Sequence, residues 1–376
     1  MQSINKQLFL NVTIDGPDKR HLDVDSHGIG SIWIIEDVSQ LVPVCTLVYS
    51  ETYSEFSELF PLLGNETMTV DLGLSKDKYR IFKFAYSSYE TRSIGALLVR
   101  NKEIVTNWID SDFTKLREYP KVMHYTQTAV SDIVKTITAG LPIEIDSSKG
   151  SNDYFINNNV LGETLKDLAQ EAISADGSTF MFFKNNCKYK FKTRNSLMRQ
   201  NTKASFIHGY DLTQFSIFGN DRSLWTNPES NIIGYSYEKG ENFTVDKPVA
   251  TVKKGKASFG KSVPFGQGTD ITARTQYEGT RHLHKAEALA TGATEGFMDS
   301  ALRMTFVALG QPFVSCGDVV EVSVAPSLKQ LGKQNMMISG KWFVEKIVHH
   351  VAKFNYMIKI FCSKANTDFS RRKAVL

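Results

Sequence analysis

Hydrophobic and polar positions alternate along much of this chain, and the alternation is clearest near its end. Val320, Val322 and Val324 fall on one phase and Glu321 and Ser323 on the other, the period of two that a half-buried strand requires. Tyr356, Ile358, Ile360 and Cys362 repeat it against Met357, Lys359 and Phe361. Between these runs, Gly340–His350 is apolar on both phases. Strict alternation sets Trp342, Val344 and Val348 on one face and Phe343, Ile347 and Val351 on the other. Gly317-Asp318 and Gly340 supply turns, so the pattern predicts an antiparallel meander with a long first loop. A strand with two apolar faces needs two covers. The second is either a partner subunit or the chain's own helix.

The same period predicts strands over Leu8–Ile14, Ser31–Glu36, Leu41–Val48, Thr67–Leu72, Tyr79–Tyr86 and Ile94–Val99, with a helix at Tyr53–Leu62. Gly16-Pro17, Gly28, Gly30 and Gly64-Asn65 punctuate them, a spacing that suggests a barrel or sandwich with Trp33 and Phe82 in its walls or core. After Trp108 the period changes. Val130, Ile133, Val134 and Ile137 form a helical stripe, with Thr128 as N-cap and Gly140 as C-cap. A short strand is expected at Leu141–Ile145, and a second helix spans Leu161–Ala175. Phe180–Phe183 and Tyr189–Phe191 flank Asn185-Asn186 as a hairpin.

A second β region opens near Ser205, with strands at Phe215–Phe218 and Ile232–Tyr237. A Lys-, Gly-, Thr- and Ser-rich excursion interrupts it over residues 246–282. His284–Met298 reads as a helix and Leu302–Leu309 as a returning strand. One short echo links the two β regions. Leu63-Gly64-Asn65-Glu66-Thr67-Met68-Thr69-Val70 is similar to Cys316-Gly317-Asp318-Val319-Val320-Glu321-Val322, each a turn that launches a strand.

Composition narrows the class. The 376 residues are 41% hydrophobic and 22% charged, the balance of a globular protein with room for two or three domains. Aromatics at 11% favour β structure. No apolar run is long enough for a transmembrane helix, and Met1–Lys6 lacks the features of a secretory signal. Cys45, Cys187, Cys316 and Cys362 are widely spaced and read as reduced thiols in a protein made in a host cytoplasm. The net charge of +4 does not argue nucleic-acid binding. The excursion is different. Lys247, Lys253, Lys254, Lys256, Lys261, Arg274, Arg281 and Lys285 stand there against only Asp270 and Glu278. That stretch is either a solvated loop or a contact to an acidic partner or to DNA, and Lys253, Lys254 and Lys256 are its candidate contact residues.

Catalytic chemistry finds little support. HExxH, GxSxG and P-loop patterns are absent, and Gly28-Ile29-Gly30 lacks the rest of a dinucleotide fingerprint. His349 and His350 point to opposite sides of a strand and cannot readily share a metal. His282 and His284 share a face but sit beside Arg281 and Lys285, which repel a cation. Glu51 with Glu55, or Asp110 with Asp112, mimics a glycosidase pair no better than surface carboxylates generally do. Phe180–Phe183 reads as core before it reads as a stacking platform. No catalytic residue, cofactor or metal is assigned.

The order of these pieces resembles the central baseplate hub family of T-even and related contractile-tailed phages. The matching pieces are the Leu62–Val70 turn and strand, the Ala129–Val134 helix start, Leu161–Phe183 through Asp176-Gly177, and the Gly310–Lys364 meander. Late-control tail proteins and type VI secretion spikes share the architecture. The resemblance implies a mainly β fold with an α+β insertion: two related β-barrels plus a small α/β domain. Its expected boundaries are 1–108 for the first barrel, 109–204 for the α+β domain, and 205–245 with 300–368 for the second barrel. Residues 246–299 form the insertion and 369–376 a tail. It further implies a non-enzymatic homotrimer at the virion's tail tip or baseplate. Two similar barrels per subunit would let a threefold ring meet both a sixfold tail tube protein and a threefold central spike protein. Tape-measure protein, baseplate wedges and transiting DNA are further partners it suggests, without membrane insertion. Trp342, Phe343, Val344 and Ile347 are the expected subunit-interface residues. The absence of a lysozyme-like or needle region points to a hub separate from its spike. A tail-tip receptor- or polysaccharide-binding β protein and a peptidoglycan hydrolase stand as alternatives.

Overall fold

The computed structural model describes residues 8–17, 19–51, 56, 59–93, 102–118, 123–156, 160–219, 229–236, 241–248, 274–277, 302–324, 339–353 and 355–364. The first β region contains β1 (Phe9–Asp15), β2 (His21–Asp23), β3 (Ile29–Asp37), β4 (Val44–Glu51), β5 (Thr67–Ser75), β6 (Lys78–Ser93) and β7 (Lys102–Asp110). The middle of the chain follows with α1 (Phe113–Leu116), β8 (Met123–Thr128), α2 (Val130–Ile137), β9 (Ile143–Ile145) and β10 (Asn152–Ile156). It closes with α3 (Leu161–Glu171), β11 (Phe180–Asn185), β12 (Lys188–Thr193) and α4 (Arg194–Met198). The second β region holds β13 (Ala204–Ile207), β14 (Leu212–Gly219), β15 (Glu229–Ser236), β16 (Glu241–Pro248) and β17 (Arg274–Tyr277). The chain then returns through β18 (Leu302–Leu309), β19 (Val319–Ser323), β20 (Gly340–Ala352) and β21 (Asn355–Ser363). The mainly β class with an α+β middle follows directly, and β19, β20 and β21 form the antiparallel meander.

Two separate closed barrels are not what the described strands build. Thirteen strands form one sheet, whose main path runs β14-β18-β21-β20-β3-β4-β7-β6-β5-β1-β2 without closing. The two β regions are joined where β20 pairs antiparallel with β3, from Lys346↔Asp37 to Ala352↔Ser31. The reason lies in β20. Its first half pairs with β19, from Val322↔Gly340 to Val319↔Phe343, and its second half with β3. Along its other edge β20 pairs with β21 from Phe343↔Ser363 to Ala352↔Asn355, with a register shift between Val344 and Lys346. Glu345 is the extra residue of that bulge, and its carbonyl accepts from the Val38 N–H at 2.9 Å.

The bulge also corrects the face assignment of β20. Beyond Glu345 the inward phase changes parity. Trp342 and Val344 therefore share one apolar cluster with Ile347 and Val351, while Phe343 points the other way. That cluster is continuous across both β regions, taking in Ile14, Ile34, Val70, Phe84 and Trp108 from the first and Phe206, Phe306, Ile358 and Ile360 from the second. A second core lies beneath α2 and α3, where Ile133, Val134, Leu165 and Leu168 pack on Phe182, Tyr189 and Phe191. A small third cluster of Phe183, Leu197, Met198, Cys316 and Phe343 joins the middle of the chain to β20.

Local details depart from expectation for identifiable reasons. Thr128 ends β8 and the helix cap is Ala129, so a hydroxyl from elsewhere serves the first turn: Ser148 Oγ accepts from the Ser131 N–H at 3.0 Å. At the other end the cap is Thr138, whose Oγ1 donates back to the Val134 carbonyl at 2.6 Å. The hairpin turn is Asn186-Cys187, both at positive φ, one position beyond the expected pair. Trp33 is 40% exposed on the outer side of β3, where it stacks on His350. Ile94–Val99, the helix at His284–Met298, His282 and His284 lie outside the described residues, as do positions 53–55, 57 and 58 of Tyr53–Leu62 and nearly all of the excursion, Lys253, Lys254 and Lys256 included.

Candidate functional site, a buried polar seam

Along β3 the residues Ile32, Ile34 and Glu36 share the buried phase, so a carboxylate occupies an apolar position. The same substitution of charge for hydrocarbon recurs on β6 at Arg80, in phase with Phe82 and Phe84, and on β20 at His349, in phase with Ile347 and Val351. The β3–β20 join brings these together. Glu36 Oε1 accepts from Arg80 Nη1 at 2.8 Å and faces His349 Nε2 at 3.3 Å. Arg80 Nη1 also donates to Ser315 Oγ at 2.7 Å and lies 3.4 Å from the Pro312 carbonyl. With Nε2 carrying the proton toward the carboxylate, His349 Nδ1 accepts from the Tyr356 hydroxyl at 2.8 Å.

The electrostatics follow from burial and pairing. Burial pushes the Glu36 carboxyl up, but Arg80 and His349 outweigh it and hold it down at about 2. For His349 burial wins over the attraction of Glu36 and keeps the imidazole below its ordinary value, hence neutral. Burial alone would lower Arg80, yet Glu36 turns the shift upward. The guanidinium lies over the Phe82 ring, 4.2 Å from its centroid. One carboxylate, one guanidinium and a neutral imidazole thus make a charge-balanced group inside the sheet.

The hairpin β11–β12 ties the middle of the chain to the same place. Lys184 Nζ reaches Asp110 Oδ1 at 2.5 Å and Asp112 Oδ2 at 2.9 Å, at the end of β7. Burial raises the Asp110 carboxyl beyond what Lys184 offsets, whereas Lys184 outweighs burial at Asp112 and lowers it. Next in sequence, Asn185 Nδ2 donates to the Cys316 carbonyl at 2.6 Å and to Asp318 Oδ1 at 3.0 Å, in the turn before β19. Lys184 therefore binds the first β region and Asn185 the second.

Chemically this arrangement holds rather than reacts. Ser315 Oγ accepts a hydrogen bond from Arg80 instead of facing a base, and burial pushes the Cys316 thiol well up. Asp110 and Asp112 both clasp Lys184 and are not a free carboxylate pair. Among the described residues no group of three or more His, Cys, Asp or Glu could hold a metal ion. No described helix is long and apolar enough to cross a membrane.

Of the sequence-derived interface residues, the four on β20 are buried within the chain. Trp342, Val344 and Ile347 lie in the large core, and Phe343 is covered by Phe183, Leu197 and Met198. The second apolar cover of β20 is thus the chain's own helix and hairpin. Phe180, Phe182 and Phe183 are buried and offer no stacking platform, while Tyr210 stands exposed between β13 and β14. Glu36, Arg80, Ser315 and Lys184 were not singled out by motif, and Asn185 was noted only as part of the hairpin turn. Their signal was a charged or polar residue on an apolar strand phase or beside a turn.

The echo between the β regions has a shared geometry. Gly64 and Gly317 both have positive φ, +113° and +82°. Just after each, an acid receives the N–H three residues back: Glu66 Oε1 from Leu63 at 2.6 Å and Asp318 Oδ2 from Ser315 at 2.9 Å.

No family model matches the sequence, and no curated protein matches it significantly. Solved structures do. A tail protein from Neisseria meningitidis MC58 aligns with a TM-score of 0.62 at 10% identity, over 94% of this chain and 96% of that one. The 43 kDa tail protein of prophage MuSo2 from Shewanella oneidensis aligns at 0.64 and 11% identity, over 95% and 99%. Prophage tail protein gp18 from Listeria monocytogenes EGD-e aligns at 0.55 and 12% identity, over 94% of each chain. The Francisella PdpA–VgrG complex contains a chain that aligns at 0.54 and 9% identity, over 95% of this chain and 58% of that one. The chain therefore shares the fold of phage tail proteins over nearly its whole length, in agreement with the resemblance read from its motifs.

Proposed function

We propose that this chain is a non-enzymatic structural protein of a phage tail, a homotrimeric hub that joins a sixfold tail tube to a threefold central spike and lines the channel for genome ejection. The observation that carries this reading is the near end-to-end likeness to tail proteins of the same length, with both chains covered at 94% or more. The matched glycine turns and acid caps of the two β regions support a pair of related units, the requirement for pseudo-sixfold symmetry in a trimer. The β3–β20 join supports it further, because units that must present equivalent surfaces have to be held in a fixed relation. The aligned chain from a VgrG complex favours a spike as one partner. On this reading the basic excursion with Lys253, Lys254 and Lys256 faces an acidic neighbour or passing DNA.

The test is stoichiometry. Sedimentation and light scattering should find a trimer, or a monomer–trimer equilibrium that shifts with concentration, and a cryo-EM map of the tail tip should place three copies between tube and spike. A strict monomer at high concentration, alone and with tube and spike proteins added, would rule the hub out.

A further inference from the structure

The two β regions repeat one strand path. The first runs β5-β6-β7-β4-β3 with β1 on the outer edge of β5, and the second β19-β20-β21-β18-β14 with β13 on the outer edge of β19. Their irregularities fall at the same places. Against β4, β3 skips Gly30, and against β18, β14 skips Thr213. Against β7, β6 skips Ser87, and against β21, β20 skips Glu345. Just before these last two bulges the Tyr86 N–H donates to the Glu66 carbonyl at 3.0 Å, and the Val344 N–H to that of Asp318 at 2.9 Å. The bulges fix the equivalence residue by residue. Tyr89 stands where Ile347 does, Arg92 where His350 does, and Phe215, Ser216 and Ile217 where Ile32, Trp33 and Ile34 do.

One contact breaks the equivalence. Past its bulge β20 pairs with β3. Among the described residues, Ser88–Ser93 at the matching place on β6 pair with β7 alone, and Gln214–Gly219 of β14 pair with β18 alone. Exposure follows the difference. Ile32, Ile34 and Ile347 are at most 1% exposed, whereas Phe215 and Ile217 are half-buried and Tyr89 is 59% exposed. Two strand edges with uncovered apolar side chains, related as the two sides of an existing join, are a template for another chain.

We infer that β14 of one copy pairs antiparallel with the distal half of β6 of a second copy, repeating the β3–β20 join between subunits. The register of that join, transferred, sets Tyr89 opposite Gly219, Thr91 opposite Ile217, Arg92 opposite Ser216 and Ser93 opposite Phe215. Gly219 leaves room for the Tyr89 ring to lie across toward Ile217. Each copy carries one edge of each kind, so the contact is head-to-tail and three repetitions close a ring. The inference deepens the hub reading and rests on it for closure at three copies.

The test is a cross-link at the transferred register. The full chain carries Cys187→Ser, which removes its exposed thiol. In it, Arg92→Cys with Ser216→Cys should oxidise to covalently linked copies that end at a trimer. Thr91→Cys with Ser216→Cys puts the thiols on opposite faces of the ladder and should link at least about tenfold more slowly. Tyr89→Ala should weaken association at least about tenfold in sedimentation equilibrium. It should leave the urea midpoint in place, since that ring is exposed within the chain. A trimer that forms without linking at positions 92 and 216, equal linking of the two pairs, or association indifferent to Tyr89→Ala overturns the strand joint and leaves the hub reading standing. Linked products that run past three copies overturn the ring. A strict monomer overturns both.

Discussion

Glu36 and His349 are 313 positions apart in the chain, yet Glu36 Oε1 and His349 Nε2 stand 3.3 Å apart at the join between β3 and β20. In that ladder His349 is opposite Ile34 and Glu36 opposite Ile347, so the two side chains meet on a diagonal of the buried face. A slip of one residue would turn Ile347 and Val351 outward and separate this pair. The contact therefore specifies register at the one ladder connecting the two β regions along the main sheet path.

Removing one charge of the group should cost more than removing two. Glu36→Leu leaves Arg80 buried without its counter-charge and is expected to destabilise by about 3–5 kcal/mol. Glu36→Leu combined with Arg80→Met should recover part of that loss, giving a double-mutant coupling of at least about 1 kcal/mol in urea unfolding. Additive losses would mean that the two side chains do not act as a pair.

Acid should weaken the seam before it protonates most carboxylates. His349 has its folded pKa below the ordinary 6.5, so the unfolded chain takes up a proton first. Its share of stability is whole above that value and falls as pH drops from about 6.5 toward the folded pKa. Glu36, held at about 2 against 4.5, adds a second loss between those values, in the same direction. His21 is raised by Asp15 and Asp23 and opposes this weakly from a fully exposed position. The measurement is therefore a difference: wild type minus His349→Gln, by urea unfolding between pH 8 and pH 5. The wild type should lose more stability on acidification, and parallel curves would show that His349 does not titrate on unfolding.

How much of this could be read beforehand depends on the range of the interaction. Leu302–Leu309 was legible to the residue because one face packs and the other does not. β7 was missed because Ile104 and Val105 are both buried, the latter outside the large core, which erases the alternation. The β3–β20 pairing has no local signature at all, since it is set by which distant strand offers a matching apolar face. Glu36, Arg80 and His349 were visible as charges on apolar phases, but only the fold shows that they share one place.

Gly317 should tolerate no side chain. Its φ is +82°, and a Cβ there would sit 2.3 Å from the Phe183 ring, which is fully buried. Gly317→Ala adds left-handed strain to overpacking, about 2–5 kcal/mol together. Gly64→Ala has comparable φ but open space around it, so it should cost only the backbone share, about 1–2 kcal/mol. Thermal unfolding of the two variants side by side checks the difference, and equal losses would deny the role of Phe183.

Phe343 separates a core role from an interface role on β20. It is 2% exposed and packed against Phe183, Leu197, Met198 and Cys316, so Phe343→Ala should cost about 3–5 kcal/mol of folding stability. Association between folded subunits should be unchanged, because no part of that ring reaches the surface. Trp33 gives the contrast. It is 40% exposed and stacked on His350 at 3.7 Å, and Trp33→Ala should cost no more than about 1–1.5 kcal/mol. Urea midpoints and sedimentation equilibrium on the same samples resolve the two quantities. If Phe343→Ala instead left the midpoint in place and loosened association, β20 would be turned toward a neighbour, and the covering of its second face by the chain's own hairpin would be wrong.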